Sequence, residues 1–155
     1  MSKIEKDLLW KKDSDFNISC SSYSHAYYNM PDLHYHKHYE ILLVFENDRI
    51  LLTNNSRTTL NRNNILLMPP FVLHRTISGN QPHQKSYLIN FTSEIAGKIK
   101  KIINIDVELL FNTNNFTLPL SEESADFVIS TISTLYQEKQ KGGVTGNAVA
   151  FLIQC

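Results

Sequence analysis

The first half of the chain consists of short apolar runs separated by turn-forming residues. The run 39–45 (YEILLVF) is apolar at both odd and even positions, which predicts a β-strand buried on both faces. Further strands are predicted at 50–53, 65–68, 71–77 and 86–91, with turn-forming Asn, Asp, Pro, Ser or Gly residues between them. Short strands at this spacing predict a β-sandwich or a small barrel.

The pattern becomes helical after residue 91. The segment 92–103 places four isoleucines on one helical face, whereas 109–120 is predicted to be extended or irregular. A second helix is predicted over 121–141, where Ser121 suits the N-cap position and two glycines follow the last turn. A third, apolar helix is predicted over 145–155. Because it has no stop signal, we expect a longer protein to continue beyond it.

Length and charge narrow the class of protein. The 155 residues suit one compact domain, and 42% of them are apolar. Lys and Arg number 15, and so do Asp and Glu, so the net charge is zero. A nucleic-acid binder usually carries a basic surplus. We therefore expect this chain to reach DNA only through a segment outside it.

The cysteines and the N-terminus indicate the cellular compartment. The two widely separated cysteines, Cys20 and Cys155, form no disulfide framework. The first residues are too charged for a secretory signal. No apolar run approaches the ~20 residues of a membrane span. We expect a cytoplasmic protein without a membrane partner.

Histidines are concentrated just before the first strongly apolar strand, in the sequence HYHKHYE. His34, His36, His38 and Glu40 occupy alternate positions, so they share one face if the strand is continuous. Imidazoles and a carboxylate that converge suit a divalent transition metal, and His74, alone in an apolar strand, is the candidate for a further ligand. The pattern is short, however, and also fits surface histidines or a buried, hydrogen-bonded histidine.

These residues resemble the two motifs of the cupin superfamily. His34, His36 and Glu40 match the first motif, and Pro69 and His74 match the second in register. Other residues stand where the motifs have glycine, namely Tyr28, Asn47, Asn63 and Phe71. The resemblance implies a double-stranded β-helix, also called a jelly-roll barrel, with the histidines and the glutamate inside it.

The wider order of elements is similar to the N-terminal sensor domain of AraC-type transcriptional regulators. HxHxxYEILLV, ILLMPPxxxH, YLINF and the helices occur in this order and cover roughly residues 15–155. The resemblance implies an N-terminal arm at 1–15, a cupin-like barrel at 16–92 and a helical dimerisation segment at 93–155. It also implies a small effector inside the barrel and a helix-turn-helix DNA-binding domain beyond this chain.

The resemblance also assigns roles to residues. It implies that His34, His36, Glu40 and His74 bind the effector, either through a divalent transition metal or directly as polar anchors in an apolar pocket. From the strand pattern we expect Leu42, Val44 and Leu67 to point inward beside these residues, either as ligand contacts or simply as barrel core. Tyr23, Tyr27 and Tyr28 precede the first motif, so we expect them to form a lip over the pocket or to pack at a sheet edge. Arg49 and Arg57 lie in or near turns, so we expect them to be solvated.

The helical segment is expected to mediate a homodimer. Val128, Ile132 and Leu135 lie at the i, i+4, i+7 spacing of one helical face, and an exposed apolar stripe marks an interface. The alternative is that the stripe is internal core and the chain is a monomer. For the whole protein we expect a regulator without enzymatic activity. The alternatives are a metal-dependent cupin enzyme, such as a dioxygenase or isomerase, and a carbohydrate-binding or structural cupin.

Overall fold

The computed structural model describes residues 15–23, 27–112 and 116–141, and antiparallel strands make up most of the described part before residue 92. The strands are β1 Phe16–Tyr23, β2 Tyr39–Glu46, β3 Arg49–Thr53, β4 Arg57–Leu60, β5 Asn64–Met68, β6 His74–Ser78, β7 Gln84–Phe91 and β8 Thr117–Pro119. The helices are α1 Ser93–Ile103, α2 Val107–Phe111 and α3 Glu122–Gln140. None of the described helices is both long and apolar enough to cross a bilayer.

The strands form two sheets. The larger one has the order β1-β7-β2-β5-β8, and the smaller one has the order β4-β3-β6. In the larger sheet Glu40 of β2 lies opposite Asn90 of β7 and Met68 of β5. Directly opposed residues share a face in antiparallel sheets, so these three side chains point to the same side. Strand β8 follows two helices in the chain, and therefore the larger sheet is completed by residues beyond the first 92.

The larger sheet is buried on both faces, as the doubly apolar pattern of β2 predicts. Its inner face packs against the smaller sheet through six almost fully buried side chains: Leu42, Val44, Leu51, Leu60, Leu66 and Met68. Its outer face packs against the helices through a second core, which includes Tyr39, Leu43, Ile89, Phe91, Ile95, Phe111, Ile132 and Leu135. Two separate cores thus lie on opposite sides of one sheet.

The structure corrects one predicted inward neighbour. Leu42 and Val44 lie in the inner core, as expected. Leu67 belongs instead to the outer core, because it lies opposite Ile41 on β5 and shares the outward face of that residue. The inward residues of β5 are Leu66 and Met68.

The helix caps agree with the sequence. Thr92 precedes α1 and its side chain accepts a hydrogen bond from the Ile95 N–H, while Ser121 caps α3 by accepting from the Ser124 N–H. Each cap satisfies an amide that lacks a partner within the helix. The predicted helix 145–155 lies outside the described residues, and so does the predicted arm 1–15 except for Asp15.

Some boundaries differ from the predictions. The sequence pattern predicts no strand at β4, and β6 begins at His74 rather than at residue 71. The segment 109–120, predicted to be extended or irregular, contains β8 as that prediction allows, but it begins with the end of α2. Asp106 caps α2 by accepting a hydrogen bond from the Leu109 N–H. Because α2 has only five residues, its sequence is too short to show helical periodicity.

The apolar stripe of α3 is core rather than free surface. Ile132 and Leu135 are buried in the outer core, and Val128 packs against it. The expectation that these three side chains form an exposed stripe is therefore wrong, because they already pack within their own chain. The exposed face of α3 is mostly polar and carries Phe127, which is 56% exposed.

Candidate functional site

His34, His36, Glu40 and His74 come together in the structure, but not on one continuous strand as the alternating pattern predicts. Strand β2 starts only at Tyr39, so HYHKHYE is not one continuous strand. His34 instead forms an isolated bridge with His74, in which each backbone N–H donates to the other residue's carbonyl at 2.9 Å. Glu40 points into the barrel from β2 because it shares the face of Leu42 and Val44.

The side chains of His34, His36, Glu40 and His74 lie next to one another inside the barrel. His36 Nε2 is 3.1 Å from one carboxylate oxygen of Glu40, and His74 Nε2 is 3.9 Å from the other. The ring centroid of His74 is 4.5 Å from that of His34 and 5.0 Å from that of His36. All four residues are at most 9% exposed. The convergence that the two motifs predict is therefore present.

The orientation of two imidazoles is determined by backbone carbonyls. His36 Nδ1 lies 2.8 Å from the His38 carbonyl, and His74 Nδ1 lies 2.9 Å from the Val72 carbonyl. A carbonyl only accepts, so each Nδ1 carries the hydrogen. In a neutral ring the lone pair is then on Nε2, the atom that faces Glu40. A lone pair and a carboxylate oxygen repel each other unless a proton or a cation lies between them.

Burial and charge shift the pKa values in this cluster. Burial, reinforced by the nearby His74, lowers the pKa of His34 to about 4. Burial also lowers the pKa of His74. For Glu40, burial alone would raise the pKa, but a protonated His36, whose Nε2–H then donates to the carboxylate, and the charges of protonated His74 and His34 lower it to about 2. At neutral pH the cluster thus holds an ionised carboxylate beside the neutral imidazoles of His34 and His74.

His38 gives the cluster a more exposed neighbour. Its ring stacks on that of His36 with centroids 4.1 Å apart and planes inclined by 11°. Donor atoms of His36, His38 and Glu40 all lie within 4.8 Å of one another. His38 is not part of the cupin motifs, but it lies close enough to contact a ligand or ion bound by His36 and Glu40.

The loop between β5 and β6 closes over this end of the barrel. Phe71 N–H donates to the His36 carbonyl at 2.8 Å, so the loop is attached directly to the site. Phe71 has a φ of 66°, a left-handed conformation that is uncommon for a bulky residue. Glycine would adopt this conformation without strain, which agrees with the motif glycine expected at this position. The Phe71 side chain is nevertheless 67% exposed.

A cleft of about 550 Å³ lies beside this loop, on the outer side of the larger sheet. Its walls include Tyr39, Phe71, Ala96 and Val107, and the ion-paired Lys100 and Asp106 also line it. The cleft is separate from the histidine cluster, because Tyr39 and Glu40 project from opposite faces of β2. Phe71 thus contacts the cleft with its side chain and the site with its backbone.

A buried arginine lies at the other end of the barrel interior. Arg49 was expected to be solvated because it follows a turn, but it is only 5% exposed. The Tyr28 ring covers its guanidinium, with the ring centroid 5.4 Å from the central carbon. Tyr28 was predicted to form either a lip over the pocket or edge packing, and it lies over Arg49. Arg57, by contrast, is exposed as expected.

Comparison with known proteins agrees with this architecture. The family model described as the AraC-like ligand binding domain matches residues 15–153. No curated protein sequence matches the chain.

Two structures of ToxT from Vibrio cholerae strain SCE256 share the fold. An apo ToxT variant is 10% identical, with a TM-score of 0.63, and the match covers 90% of this chain and 52% of that one. Wild-type ToxT with bound unsaturated fatty acid is 12% identical, with a TM-score of 0.60, and the match covers 92% of this chain and 52% of that one. The chain thus spans about half the length of ToxT. At these identities the likeness concerns the fold alone, whereas the family model matches most of the sequence: the chain belongs to the family of AraC-like ligand-binding domains.

Proposed function

We propose that this chain is the effector-sensing part of an AraC-type transcription regulator. A small molecule binds inside the barrel at His34, His36, Glu40 and His74, and its binding controls a helix-turn-helix domain elsewhere in the full-length protein. The observation that carries the proposal is the convergence of these four buried polar side chains. They lie at one end of a barrel whose centre is lined by Leu, Val and Met.

The composition of the interior suits small-molecule recognition. Ligand sites are mostly apolar and contain a few fixed polar groups that orient the ligand. Here Glu40 and the imidazoles supply acceptors and donors, and Leu42 and Met68 lie beside them on the inner face. The backbone bonds that hold His36 and His74 keep these groups oriented before a ligand arrives, which lowers the entropic cost of binding.

The same four residues have the chemistry of a divalent transition-metal site. Imidazoles that bind a metal usually donate the other ring N–H to a carbonyl or carboxylate, as His36 and His74 do here. Two ligand atoms bound at about 2.1 Å to one ion lie roughly 3.0–3.4 Å apart, and His36 Nε2 and Glu40 Oε2 are 3.1 Å apart. A metal bound there would supply a Lewis-acidic point for an oxygen or nitrogen of the effector.

One of the similar structures suggests a chemical class of candidate effector. Because one of the similar ToxT structures holds an unsaturated fatty acid, we include apolar organic acids among the candidate effectors. The mostly aliphatic interior is compatible with such a ligand.

The second part of the proposal is a homodimer formed through the helical segment. Its exposed apolar side chains are candidates for the contact, in place of Val128, Ile132 and Leu135: Ile102, Ile105, Leu109, Leu110 and Phe127. A two-fold dimer would present two DNA-binding domains to paired half-sites. DNA binding belongs to that further domain, since this chain has no net positive charge.

The alternative is a metal-dependent cupin enzyme, such as a dioxygenase or isomerase. The imidazole and carboxylate groups of His34, His36, Glu40 and His74 support it by their chemical type. We propose a regulator rather than an enzyme because the family model describes a ligand-binding domain.

The proposal is tested by screening small metabolites for an increase in melting temperature, since a ligand stabilises the folded state by mass action. Hits are then titrated calorimetrically into the parent, into His74→Gln and into His83→Gln. His83 is a matched control because it lies outside the cluster, paired with Glu46. We expect His74→Gln to weaken binding and His83→Gln to leave it unchanged. A hit that binds all three proteins equally would place the effector elsewhere.

A further inference from the structure

A row of opposed residues crosses the inner face of the larger sheet at the level of the histidine cluster. Glu40 of β2 lies opposite Asn90 of β7, which in turn lies opposite Asn17 of β1. Opposed residues share a face, so the Asn90 side chain points to the same side as the Glu40 carboxylate. Neighbouring strands lie about 4.8 Å apart. Asn90 is therefore the next inward residue beside Glu40 on this side of the site.

The carboxamide of Asn90 is buried, and its oxygen lacks a partner within the described part of the chain. The residue is 7% exposed, and Oδ1 accepts no hydrogen bond from the described residues. A buried acceptor without a donor destabilises the folded state, because it has lost the hydrogen bonds that water gives it in the unfolded chain. Such an atom is explained when a bound molecule supplies the donor.

A cavity of about 280 Å³ lies beside Asn90. Its lining includes Asn90, Leu88, Asn17 and Ser19, which the register of β1 and β7 places on one face. Among the described strands β1 is the end strand of the larger sheet, so the cavity lies at a sheet edge. Leu88 also packs against the inner core. The cavity is slightly smaller than the roughly 300–1,000 Å³ of drug-sized sites, which suits a compact ligand or one part of a larger effector.

The last turn of α3 forms another wall of the cavity. Lys139 lines it and donates through Nζ to Asn17 Oδ1 and, at 2.9 Å, to the Ile18 carbonyl. Asn17 Oδ1 therefore already has a donor, in contrast to Asn90 Oδ1. The bonds to Lys139 hold this wall in place before a ligand arrives, which lowers the entropic cost of binding.

The chemistry of Asn90 Oδ1 indicates what the cavity binds. An amide oxygen only accepts hydrogen bonds, and so does the ionised carboxylate of Glu40 beside it. A ligand oxygen that only accepts, such as that of a ketone or an ether, would leave Oδ1 without a donor. A hydroxyl group donates to it, and because a hydroxyl is neutral it costs less to bury than an ammonium group.

We propose that the effector carries a hydroxyl group that donates a hydrogen bond to Asn90 Oδ1, and that the adjoining part of the effector occupies the cavity beside β1. The inference rests on the proposed effector-sensing function and names a chemical feature of the effector. Asn90 discriminates between ligands with and without this donor, while the histidine cluster binds the part of the effector next to Glu40.

The test compares cyclohexanol with cyclohexanone, two probes of nearly equal size of which only the alcohol donates a hydrogen bond. Both are titrated into the 155-residue chain and followed by nuclear magnetic resonance. The parent should bind cyclohexanol about fivefold more tightly, the ratio that one neutral hydrogen bond provides. Asn90→Leu, which has a similar volume and no acceptor, should bind the two probes equally. Asn80→Leu is the control, because Asn80 is exposed in the loop between β6 and β7.

A measurement on the unaltered chain covers the case in which Asn90→Leu does not fold. The side-chain amide signals of Asn90 should shift with cyclohexanol and remain in place with cyclohexanone. The proposal is overturned if the two probes bind the parent equally, as a water molecule on Oδ1 alone would predict, or if neither binds. It is also overturned if the preference persists in Asn90→Leu. A screening hit that requires His74 would in each case still support the sensing function, so the two proposals fail separately.

Discussion

His34 and His74 hold each other through a pair of backbone hydrogen bonds, each 2.9 Å long, across forty residues of chain. This bridge joins the segment before β2 to the first residue of β6, and it places the two rings 4.5 Å apart. The histidine cluster therefore depends on backbone pairing between two distant segments as well as on side-chain chemistry.

Divalent metal should copurify with the chain and depend on the cluster. We expect about one ion per chain in protein prepared without chelator, measured by plasma mass spectrometry. His36→Ala and Glu40→Ala should lose most of it, because each removes a donor from a site that needs three or four ligands. His83→Ala, a substitution outside the cluster, should keep it. A stoichiometry far below one in the parent would contradict the metal proposal and leave direct effector binding by the same residues in place.

Acid should destabilise the fold in two stages. Between pH 6.5 and about 4, His34 is protonated in the unfolded chain but neutral in the folded one, because its folded pKa is about 4; the lowered pKa of His74 acts in the same direction. The unfolded state then binds more protons, so the free energy of unfolding falls as the pH is lowered. Below about pH 4.5 the lowered pKa of Glu40, about 2, adds a second loss.

Urea titrations at pH 7, 6, 5 and 4 measure this effect. His34→Gln should flatten the dependence between pH 6.5 and 4, because the variant has no proton to gain there. Equal stability of the parent at pH 7 and pH 4 would show that the two imidazoles are not kept neutral by folding.

Two substitutions on α3 should separate core from surface. Ile132→Asp places a charge in the outer core and should cost about 3 kcal/mol or more of unfolding free energy. Phe127→Asp alters an exposed position and should change it by roughly 0.5 kcal/mol or less. Urea denaturation measures both. Similar losses for the two variants would contradict the burial of Ile132 and the exposure of Phe127 on α3.

Light scattering on the parent, on Phe127→Asp and on Leu109→Asp tests the proposed dimer. Leu109 is 73% exposed on α2, so its substitution should leave the fold intact while weakening a contact made there. A parent that is monomeric at tens of micromolar, the range in which a weak dimer with a Kd of about 1 µM forms, would contradict self-association. A dimer that persists in both variants would place the contact on another surface.

Phe71 should tolerate glycine better than valine. Its left-handed φ of 66° strains any residue with a Cβ by about 1–2 kcal/mol, and its exposed ring contributes little burial. Phe71→Gly should therefore be as stable as the parent within about 1 kcal/mol, whereas Phe71→Val should be less stable because a β-branched side chain fits this conformation poorly. Thermal unfolding of both variants provides the comparison. A large loss in Phe71→Gly would mean that the ring itself stabilises the fold.

The sequence predicts the parts of this structure that arise from local rules. The strongly apolar run of β2, the cap at Ser121, and the motif residues around His34 and His74 are all visible in short stretches. Leu67 was misplaced because β5 is apolar at consecutive positions, so its pattern does not reveal which side faces the barrel. The burial of Arg49 was not predicted, because a charged residue next to a turn is usually solvated. Only the pairing of β3 with β4 and β6 shows that this side chain points inward.

Successive side chains of β2 point alternately into the inner and the outer core, which limits where the chain can gain or lose residues. Glu40, Leu42 and Val44 face the barrel interior, while Tyr39 and Leu43 face the helices. Inserting or deleting one residue within β2 would exchange these sets and turn the glutamate toward the helices. Length changes in natural variants should therefore be confined to turns such as 54–56, whereas ligand preference can change through single substitutions at inward positions.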